Sequence, residues 1–357
     1  MDERRLLAHR VLVEGWSVSS AALASGVCRT TAHLWVSRAR ETGVALLSEV
    51  SRRPHVSPSR TSDELEAELL ELKRKYPSLG SRKLSVKLDG RVPPRTAARI
   101  LARHGLSCPP APAKEELRFE RSGCNELWQM DFKGMRQRRP VYDPLSVIDD
   151  SSRFAIELRA LPNQQLAAVW DCLWAAFEVY GLPDATLSDN GPVFRSNGTW
   201  RPSKLDLRLA LLGIQSIHGR PYHPQTQGKV ERFHGTIART LGTSLWQPTL
   251  EEGQQVLSEF RQFYNWERPH EAIGQKVPGA VYKPSSRQRP QTLPEPQFPD
   301  GCLILRVNDQ ALLKHLGTTY RMGKALIGQP VGLLGQEEGV QVFYHSLTLG
   351  YLHEYAF

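Results

Sequence analysis

Cysteine is scarce in this sequence, and long apolar runs are missing. The 357 residues contain 5 cysteines, an odd number with no Cys-x-x-Cys pair, which argues against a disulfide framework and against a thiolate zinc site. No uncharged apolar run reaches the roughly 18 residues of a membrane span, and charged residues interrupt the first stretch of the chain. We therefore expect a protein of the reducing cytoplasm, without a signal peptide or a membrane partner.

Positive charge predominates and is unevenly placed. The formal net charge is +9, and residues 1–112 contain 19 Lys and Arg against 11 Asp and Glu. Such an excess suggests a polyanionic partner, for example nucleic acid. Apolar residues make up 40% of the chain, with 8 Trp, 10 Tyr and 11 Phe, which is enough to bury the cores of two or three globular domains.

Residues 1–50 have the pattern of a helix-turn-helix domain. Ser17 can cap a helix, and Gly26 supplies a turn before a second helix that begins near Val27. The second helix would bury Val27, Ala32 and Trp35 and present its polar face to base edges and phosphates. The candidate DNA-binding residues of this face are Arg29, Thr30, Thr31 and His33. An ordinary helical hairpin is the alternative.

A basic linker and a second helical domain follow. Residues 51–62 contain two prolines and three arginines without an apolar period, so they indicate an extended linker whose Arg52 and Arg53 can lie along a phosphate backbone. Residues 63–107 are again helical in pattern, with Pro94 at a helix start. We expect a second helix-turn-helix-like domain that contacts DNA, with a structural spacer as the alternative. Its candidate DNA-binding residues are Lys83, Arg95 and Arg99.

The periodicity changes after residue 120. Short apolar strands are predicted near 127–132, 146–149, 153–161, 185–188 and 214–217, and helices near 163–180, 203–212, 227–245 and 250–266. This order is typical of a mixed α/β layer over residues 120–282. Five prolines mark residues 283–299 as a linker, and short strands in residues 300–357 predict a small β-barrel-like domain.

Three acidic residues have settings unlike those of surface carboxylates. Asp131 interrupts an apolar strand, where an unpaired carboxylate is costly to bury. Asp189 ends a strand and precedes a tight turn, which holds it at the carboxyl edge of the sheet. Glu231 flanks the apolar stripe of a helix and can point back towards the sheet. The three side chains can converge, although any one alone could be a capping or turn residue.

The surroundings of these acids favour a metal centre for phosphodiester chemistry. No histidine or cysteine adjoins the two aspartates, which suits Mg²⁺ or Mn²⁺ better than zinc. Two such ions about 3.5–4 Å apart could clamp the attacking and leaving oxygens of a phosphodiester displacement. The loop that enters the Glu231 helix is rich in donors for phosphate oxygens. Its candidate DNA-binding residues, with those of the helix, are Arg220, Tyr222, His223, Gln225, Lys229, Arg232 and His234.

A di-iron centre is the competing metal hypothesis. Glu231 and His234, and likewise Glu267 and His270, have the Glu-x-x-His spacing of di-iron bundles. Pro269 lies inside the second pair and ends or kinks a helix, so that pair is not expected to share a helical face. Four helices with inward carboxylates are also missing from the pattern, and the sequence disfavours this site.

Five motifs surround the three acids. They are WQMDF at 128–132, IDDSSRF at 148–154, SDNGPVF at 188–194, HPQTQGKVERFH at 223–234 and YNWERPH at 264–270. In this order they resemble bacterial insertion-sequence transposases of the retroviral-integrase superfamily, and the resemblance covers nearly the whole chain. It implies a multidomain α/β protein with a ribonuclease-H-like core, two helix-turn-helix domains before it and a small β domain after it. It also implies that Asp131, Asp189 and Glu231 are the catalytic, metal-binding DDE triad.

Two features depart from the viral enzymes of that superfamily. The 41 residues between Asp189 and Glu231 exceed the usual spacing in retroviral integrases, which affects the connecting loop and not the ligands. The His/Cys zinc module of the viral proteins is absent, which fits recognition of DNA ends by helix-turn-helix units instead.

The resemblance implies a transposase that binds the inverted repeats at the ends of its element. It would use two Mg²⁺ or Mn²⁺ ions and water to free a 3′ hydroxyl, which then attacks target DNA. Both ends must be held together, so we expect a homodimer or higher oligomer on double-stranded DNA, associated with the nucleoid in the bacterial cytoplasm. The alternatives are a non-catalytic helix-turn-helix regulator and a structure-specific nuclease of the same fold.

Overall fold

The computed structural model describes residues 3–46, 60–107, 121–134, 141–191, 193–194, 202–219 and 228–355. The chain forms two compact units, Met1–Thr61 and Ser62–Phe357. Within the described ranges, no helix has the length and apolar character that crossing a membrane requires.

Over its residues 3–46 the first unit has three α-helices, α1 (Glu3–Leu12), α2 (Val18–Ala24) and α3 (Arg29–Thr42), and a short 3-10 helix at Val44–Leu46. Ser17 caps α2 by accepting a hydrogen bond from the Ser20 N–H at 3.0 Å. Gly26 turns the chain between α2 and α3 with a φ of +64°, a left-handed conformation that glycine adopts without strain. The predicted cap and turn are therefore present, and α3 begins slightly later than expected.

The apolar core of this unit is small, and it differs in part from the expected one. Ala32 is buried, whereas Val27 and Trp35 are only half-buried. The Arg4 guanidinium lies 5.6 Å from the centre of the Trp35 ring, so a cation–π contact covers a ring that the apolar core leaves partly open.

The second unit begins with a three-helix bundle: α4 (Asp63–Lys75), α5 (Ser81–Lys87) and α6 (Pro94–Arg103). Ser62 caps α4 by accepting a hydrogen bond from the Leu65 N–H at 3.3 Å, and Pro94 is the first residue of α6, as expected. The bundle has its own apolar core, built on Leu69, Leu79, Leu84, Ile100 and Leu101.

A five-stranded mixed sheet forms the centre of the second unit. Arranged in the spatial order β3-β2-β1-β4-β5, its strands are β1 (Trp128–Phe132), β2 (Asp143–Asp149), β3 (Ala155–Leu161), β4 (Ala185–Ser188) and β5 (Gln215–His218). The β1–β2 and β2–β3 pairs are antiparallel, and the β1–β4 and β4–β5 pairs are parallel. This is the mixed sheet of a ribonuclease-H-like fold, as the motifs led us to expect.

Helices cover both faces of this sheet. On one face, α7 (Leu166–Tyr180) and α8 (Lys204–Leu211) enclose a core that contains Trp128, Met130 and Phe177. On the other face, α9 (Gly228–Leu241) and α10 (Leu250–Gln262) enclose a core that contains Ile148, Phe233 and Phe260. Because side chains alternate along a strand, β2 and β3 contribute to both cores.

Several boundaries differ from the sequence-based expectation. β2 begins earlier, at Asp143, because its pairing with β3 extends to that residue. α7 begins at Leu166 and not at Asn163, whose carboxamide oxygen accepts a hydrogen bond from the Gln165 N–H at 3.0 Å and forms a turn. α10 ends at Gln262, and the chain continues as a π-helix over Phe263–Glu267.

Residues 283–299, all of which are described, form no helix or strand but lie against the core. The Leu182 N–H donates to the Arg287 carbonyl at 2.7 Å. The Arg287 guanidinium in turn donates to the carbonyls of Leu212 and Gly213, at 2.9 and 3.0 Å. The segment that the sequence indicates as a linker is thus fastened along the α7–β4 side of the sheet.

The described residues 300–355 form an open antiparallel sheet and a separate hairpin. The sheet has the order β11-β10-β9-β6, and the hairpin is β7–β8. Both share a core that includes Leu313, Met322 and Leu333. The pairings in these residues leave β6 and β11 as edges and do not close the barrel that the sequence predicts. The bounds are β6 (Leu303–Arg306), β7 (Leu312–His315), β8 (Thr318–Arg321), β9 (Pro330–Gln336), β10 (Gly339–Tyr344) and β11 (Leu347–Tyr351).

Asn265 joins the π-helix to β3, and its loss is expected to destabilise the second unit. Its buried carboxamide accepts from the Ala155 N–H at 2.8 Å and donates to the Ala155 carbonyl at 3.0 Å. In Asn265→Ala the Ala155 N–H loses this partner, whereas the Ala155 carbonyl still accepts from Arg261 Nε at 3.0 Å, so the free energy of unfolding in urea should fall by about 1–3 kcal/mol. Gln255→Ala, at an exposed position of α10, should change it by less than about 0.5 kcal/mol. Equal effects of the two variants would contradict this role.

Candidate active site

The parallel pairing of β1 with β4 brings two of the predicted acids to the same edge of the sheet. Met130 is the register partner of Ser188, so Asp131 of β1 and Asp189, the first residue after β4, lie at the same level. The Gly191 N–H donates to Asp189 Oδ1 at 2.9 Å, which holds the Asp189 side chain in the turn after β4. Clefts open at the carboxyl ends of parallel strands, and both acids lie there.

Burial and nearby negative charge raise the pKa of Asp131. Its side chain is 20% exposed, and burial is the largest cause of a rise in its pKa to about 7. The Asp189 carboxylate is the next cause and Glu231 raises the pKa further, while the Phe132 N–H and Lys133 lower it. Electrostatic effects of this kind require nearby charges. The three acids singled out in the sequence therefore lie in one region.

The charges of Asp189 and Glu231 act on Asp131, but the three described carboxylates do not form a ligand cage. Among the residues that the structure describes, no group of three His, Cys, Asp or Glu side chains is arranged to hold a metal ion. The donor set nevertheless fits a hard divalent cation, because carboxylate oxygens are the ligands that such a cation prefers. A cation would also offset the repulsion that raises the pKa of Asp131.

A buried network anchors the first turn of α9, which carries Glu231. The Gln129 carboxamide donates to Asp150 Oδ1 at 2.7 Å and accepts from the Val230 N–H at 3.4 Å. The Lys229 ammonium lies 2.5 Å from Asp150 Oδ2. Asp150 is fully buried, so these partners must replace the hydrogen bonds that water would give its carboxylate. The network ties β1 directly to the start of α9.

His234 lies one turn after Glu231 and faces β1 and β2. Its Nε2 is 2.9 Å from Ser146 Oγ, and its Nδ1 is 3.6 Å from Asp131 Oδ2. Burial, followed by the charge of Lys133, lowers the pKa of His234 to about 3. The ring is therefore neutral near physiological pH, and its contact with Asp131 is not an ion pair. The structure places His234 as an uncharged neighbour of Asp131.

The remaining predicted DNA-binding residues of the described ranges lie on several helices. In α3, Arg29, Thr30 and His33 are exposed, and Thr31 is half-buried beside Cys28. The other exposed members are Arg95 and Arg99 of α6 and Arg232 of α9, while Lys83 of α5 is half-buried. The predicted residues outside the described ranges are Arg52, Arg53, Arg220, Tyr222, His223 and Gln225.

The geometry does not support the di-iron hypothesis. The π-helix ends at Glu267, so Glu267 and His270 do not share a helical face. The Tyr76 hydroxyl donates to the Glu267 carboxylate, whereas His270 is buried beside Arg268. The two residues therefore have separate partners.

The anchoring role of Gln129 and Asp150 was missed in the sequence, although a signal for it exists. Gln129 is a polar residue at a strand position between Trp128 and Met130, and it is buried. A buried carboxamide needs hydrogen-bond partners, which points to a polar network on the α9 face. Asp149, the neighbour of Asp150, instead accepts the Ser152 N–H at 2.9 Å and caps a turn.

Comparison with known proteins extends these observations. Two family models described as integrase core domain match residues 121–224 and 212–278, and one described as homeodomain-like domain matches residues 31–101. One similar solved structure is the catalytic core domain of BIV integrase, which is 25% identical in sequence to this chain. The match includes 44% of this chain and 93% of the BIV chain, with a TM-score of 0.34.

Two curated relatives belong to bacterial insertion elements. An uncharacterised 39.2 kDa protein of insertion element IS476 from Xanthomonas euvesicatoria is 25% identical over 292 residues, which are 77% of this chain and 81% of the relative. An uncharacterised 31.7 kDa protein of IS407 from Burkholderia multivorans is 25% identical over 232 residues, which are 62% of this chain and 81% of the relative. Together with the domain matches, these relatives place the chain among the insertion-sequence transposases of the retroviral-integrase (DDE) superfamily, with a helix-turn-helix region before the integrase core.

Proposed function

We propose that this chain binds the terminal inverted repeats of a mobile element, cleaves DNA at the 3′ ends of the element and joins those ends to target DNA. The proposal is supported by the register of β1 with β4, which aligns Asp131 and Asp189, and by the charges of Asp189 and Glu231, which raise the pKa of Asp131. Carboxylates close to one another at the edge of a sheet are suited to binding cations. The integrase core match supports polynucleotidyl transfer as the reaction class.

Asp131, Asp189 and Glu231 would hold two Mg²⁺ or Mn²⁺ ions. When bound, such ions lower the pKa of water and stabilise charge on the attacking and leaving oxygens of a phosphodiester. The protein contributes the position of the ligands. Parallel strands align the two aspartates, and the network of Gln129 and Asp150 holds the helix turn that carries Glu231.

The reaction has two steps, and neither needs a covalent protein–DNA intermediate. In the first step, a water oxygen attacks phosphorus at the element end, the bond from phosphorus to the 3′ oxygen breaks, and that oxygen takes a proton. In the second step, the resulting 3′ hydroxyl loses its proton and its oxygen bonds to the phosphorus of a target phosphodiester, while the bond from that phosphorus to the target 3′ oxygen breaks and the leaving oxygen takes a proton. Arg232 is exposed beside Glu231 and would contact the DNA backbone.

The helical regions would recognise the element ends. α3 presents Arg29, Thr30 and His33, and α6 presents Arg95 and Arg99. A recognition helix places such side chains against base edges and phosphates of the major groove. Joining both ends to one target requires that the ends be held together, so the active form would be a dimer or larger assembly on double-stranded DNA.

Asp131→Asn is expected to separate DNA binding from catalysis. The change keeps the size of the side chain but removes a metal-binding charge. Because even outer partners of a metal contribute about 10–100-fold to activity, cleavage and joining in Mg²⁺ should fall by more than about 100-fold. Binding to labelled element ends, measured by gel shift, should be retained.

A strand-transfer assay with a plasmid target completes this test. Joining by Asp131→Asn would remove Asp131 from the mechanism. Cleavage without joining by the unaltered protein would favour the nuclease alternative, and binding without cleavage would favour the regulator.

The raised pKa of Asp131 also predicts how the stability of the metal-free protein depends on pH. Its pKa is about 7 in the folded chain against an ordinary value of 3.8. The folded state therefore keeps a proton that the unfolded state has lost, and this contribution to stability disappears as pH rises from about 4 to 7. At about pH 8 in a chelator, Asp131→Asn should have a higher melting temperature than the unaltered protein, because it removes this repulsion.

Added Mg²⁺ provides the second half of that measurement. It should raise the melting temperature of the unaltered protein and leave that of Asp131→Asn nearly unchanged. A variant that melts lower than the unaltered protein at every pH would show that the Asp131 carboxylate stabilises the fold and is not strained by its neighbours.

Gln129→Met tests whether the network positions Glu231. The change keeps the shape of the side chain but removes the bridge between Asp150 and the Val230 N–H. We expect the Mg²⁺ concentration that gives half-maximal cleavage to rise about 10–100-fold, as for other outer partners of a metal site. DNA binding should not change.

Gln254→Met is the matched control for Gln129→Met. The Gln254 carboxamide also bridges a helix to the sheet, accepting from the Ala160 N–H at 2.9 Å and donating to the Leu158 carbonyl at 3.4 Å. This bridge joins α10 to β3, away from the acids. Its loss should lower the melting temperature without changing the Mg²⁺ requirement; equal metal requirements in both variants would rule out a positioning role for Gln129.

A further inference from the structure

Both neighbours of Asp189 in the chain are fastened to the end of β5. Ser188 is the register partner of His218 in the parallel β4–β5 pair, and the Gly219 N–H donates to the Ser188 carbonyl at 3.1 Å. On the other side of Asp189, the Asn190 carboxamide donates to the Gly219 carbonyl at 3.0 Å. The position of Asp189 therefore depends on the end of β5.

A side-chain bridge through His218 adds to these contacts. The His218 ring lies between two oxygens: Ser188 Oγ is 3.3 Å from Nδ1, and Asp206 Oδ1 is 3.2 Å from Nε2. An ionised carboxylate can only accept hydrogen bonds. Nε2 therefore carries a hydrogen towards Asp206, and Nδ1 of the neutral ring accepts from the Ser188 hydroxyl. The bridge runs from α8 to the residue before Asp189.

The first turn of α8 is a firm anchor for this bridge. Asp206 is 5% exposed. Its Oδ2 accepts the Ser203 N–H at 2.7 Å and its own N–H donates to Ser203 Oγ at 3.1 Å, which is a capping box. Leu205 packs in a core of the central sheet, and Leu207 packs in the core of residues 300–355. A carboxylate fixed in this way orients the His218 ring.

Serine, histidine and aspartate are also the residue types of a nucleophilic triad, but the burial of Ser188 opposes that role. Ser188 is 4% exposed. Its side chain lies on the same sheet face as its register partner Met130, which belongs to the core under α7 and α8. A substrate cannot reach a hydroxyl in that position, as nucleophilic catalysis requires. The bridge is instead suited to holding the end of β4 in place.

We propose that His218 is a positioning residue for Asp189. The ring holds Ser188 and so restricts the turn from which the Asp189 side chain extends. Within that turn, Asp189 Oδ1 accepts the Gly191 N–H at 2.9 Å. The proposal rests on the proposed function, in which Asp189 binds a divalent cation. Partners outside the ligand set of a metal orient its ligands and contribute about 10–100-fold to affinity or activity.

Two substitutions of His218 separate positioning from a purely structural role, because each keeps one end of the bridge. His218→Gln places a carboxamide atom near the position of Nε2, so it keeps the contact with Asp206 and loses the contact with Ser188. His218→Asn places a carboxamide atom near the position of Nδ1, so it keeps the contact with Ser188 and loses the contact with Asp206.

The main measurement is binding of Mn²⁺ to the full chain without DNA, followed by electron paramagnetic resonance. His218→Gln should raise the dissociation constant about 10–100-fold and melt close to the unaltered protein. His218→Asn should melt lower, because buried Asp206 loses a partner, and should bind Mn²⁺ more tightly than His218→Gln. If His218→Gln binds Mn²⁺ like the unaltered protein, or if His218→Asn binds it no more tightly than His218→Gln, His218 is a structural residue and the proposal is wrong.

Ser188→Ala tests whether His218 acts through Ser188. It removes the hydroxyl directly, so it should weaken Mn²⁺ binding as much as His218→Gln, and the double variant should bind no more weakly than either single one. Additive losses would show that the two residues act separately and would overturn the bridge. Gln254→Met breaks a bridge between α10 and β3 and is the control, whose Mn²⁺ affinity should not change.

Cleavage of labelled element ends distinguishes a failure of this proposal from a failure of the proposed function. If both are correct, the Mg²⁺ concentration for half-maximal cleavage should rise in His218→Gln and Ser188→Ala, and rise less in His218→Asn. Unaltered protein that binds Mn²⁺ without cleaving DNA would contradict the proposed reaction. The Mn²⁺ affinities of the variants would still decide whether His218 positions Asp189.

Discussion

Parallel pairing of β1 with β4 is the constraint on which the candidate site depends. One strand, β1, positions all three acids: Asp131 belongs to it, Asp189 is aligned with it by the register, and Glu231 lies on a helix anchored to its Gln129. The alternation of side chains makes this possible. Trp128 and Met130 enter the core under α7, whereas Gln129 and Asp131 face α9. The same short strand thus contributes side chains both to the apolar core and to the candidate site.

The three acids bring like charge to one edge of the central sheet. Burial and the charges of Asp189 and Glu231 raise the pKa of Asp131. This arrangement is unfavourable in the free protein because burial weakens the screening that water provides. Under the proposed function, a bound divalent cation would offset this cost.

Local periodicity was sufficient to predict most of the elements but not the contacts between them. Alternation and turn residues located the five strands of the core, and the turn after Asp189 indicated the sheet edge. The anchoring of α9 was not predictable in this way, because Gln129, Asp150 and Lys229 are distant in sequence and each has an ordinary local pattern. The start of α7 was missed because Asn163 bonds to the backbone and replaces a helical turn.

The YNWERPH motif at 264–270 connects separate elements, because its residues contact different parts of the second unit. Asn265 bonds to β3, Glu267 accepts the Tyr76 hydroxyl of the bundle, and Arg268 lies 3.1 Å from His270 Nε2. The π-helix makes this division possible, since its wider turn directs Tyr264 and Asn265 into the core while Trp266 and Glu267 stay exposed. The seven-residue motif therefore contacts both the central sheet, through β3, and the three-helix bundle. The bundle and the three acids belong to one compact unit. These contacts would therefore fix the position of a DNA duplex bound by the bundle relative to the acids.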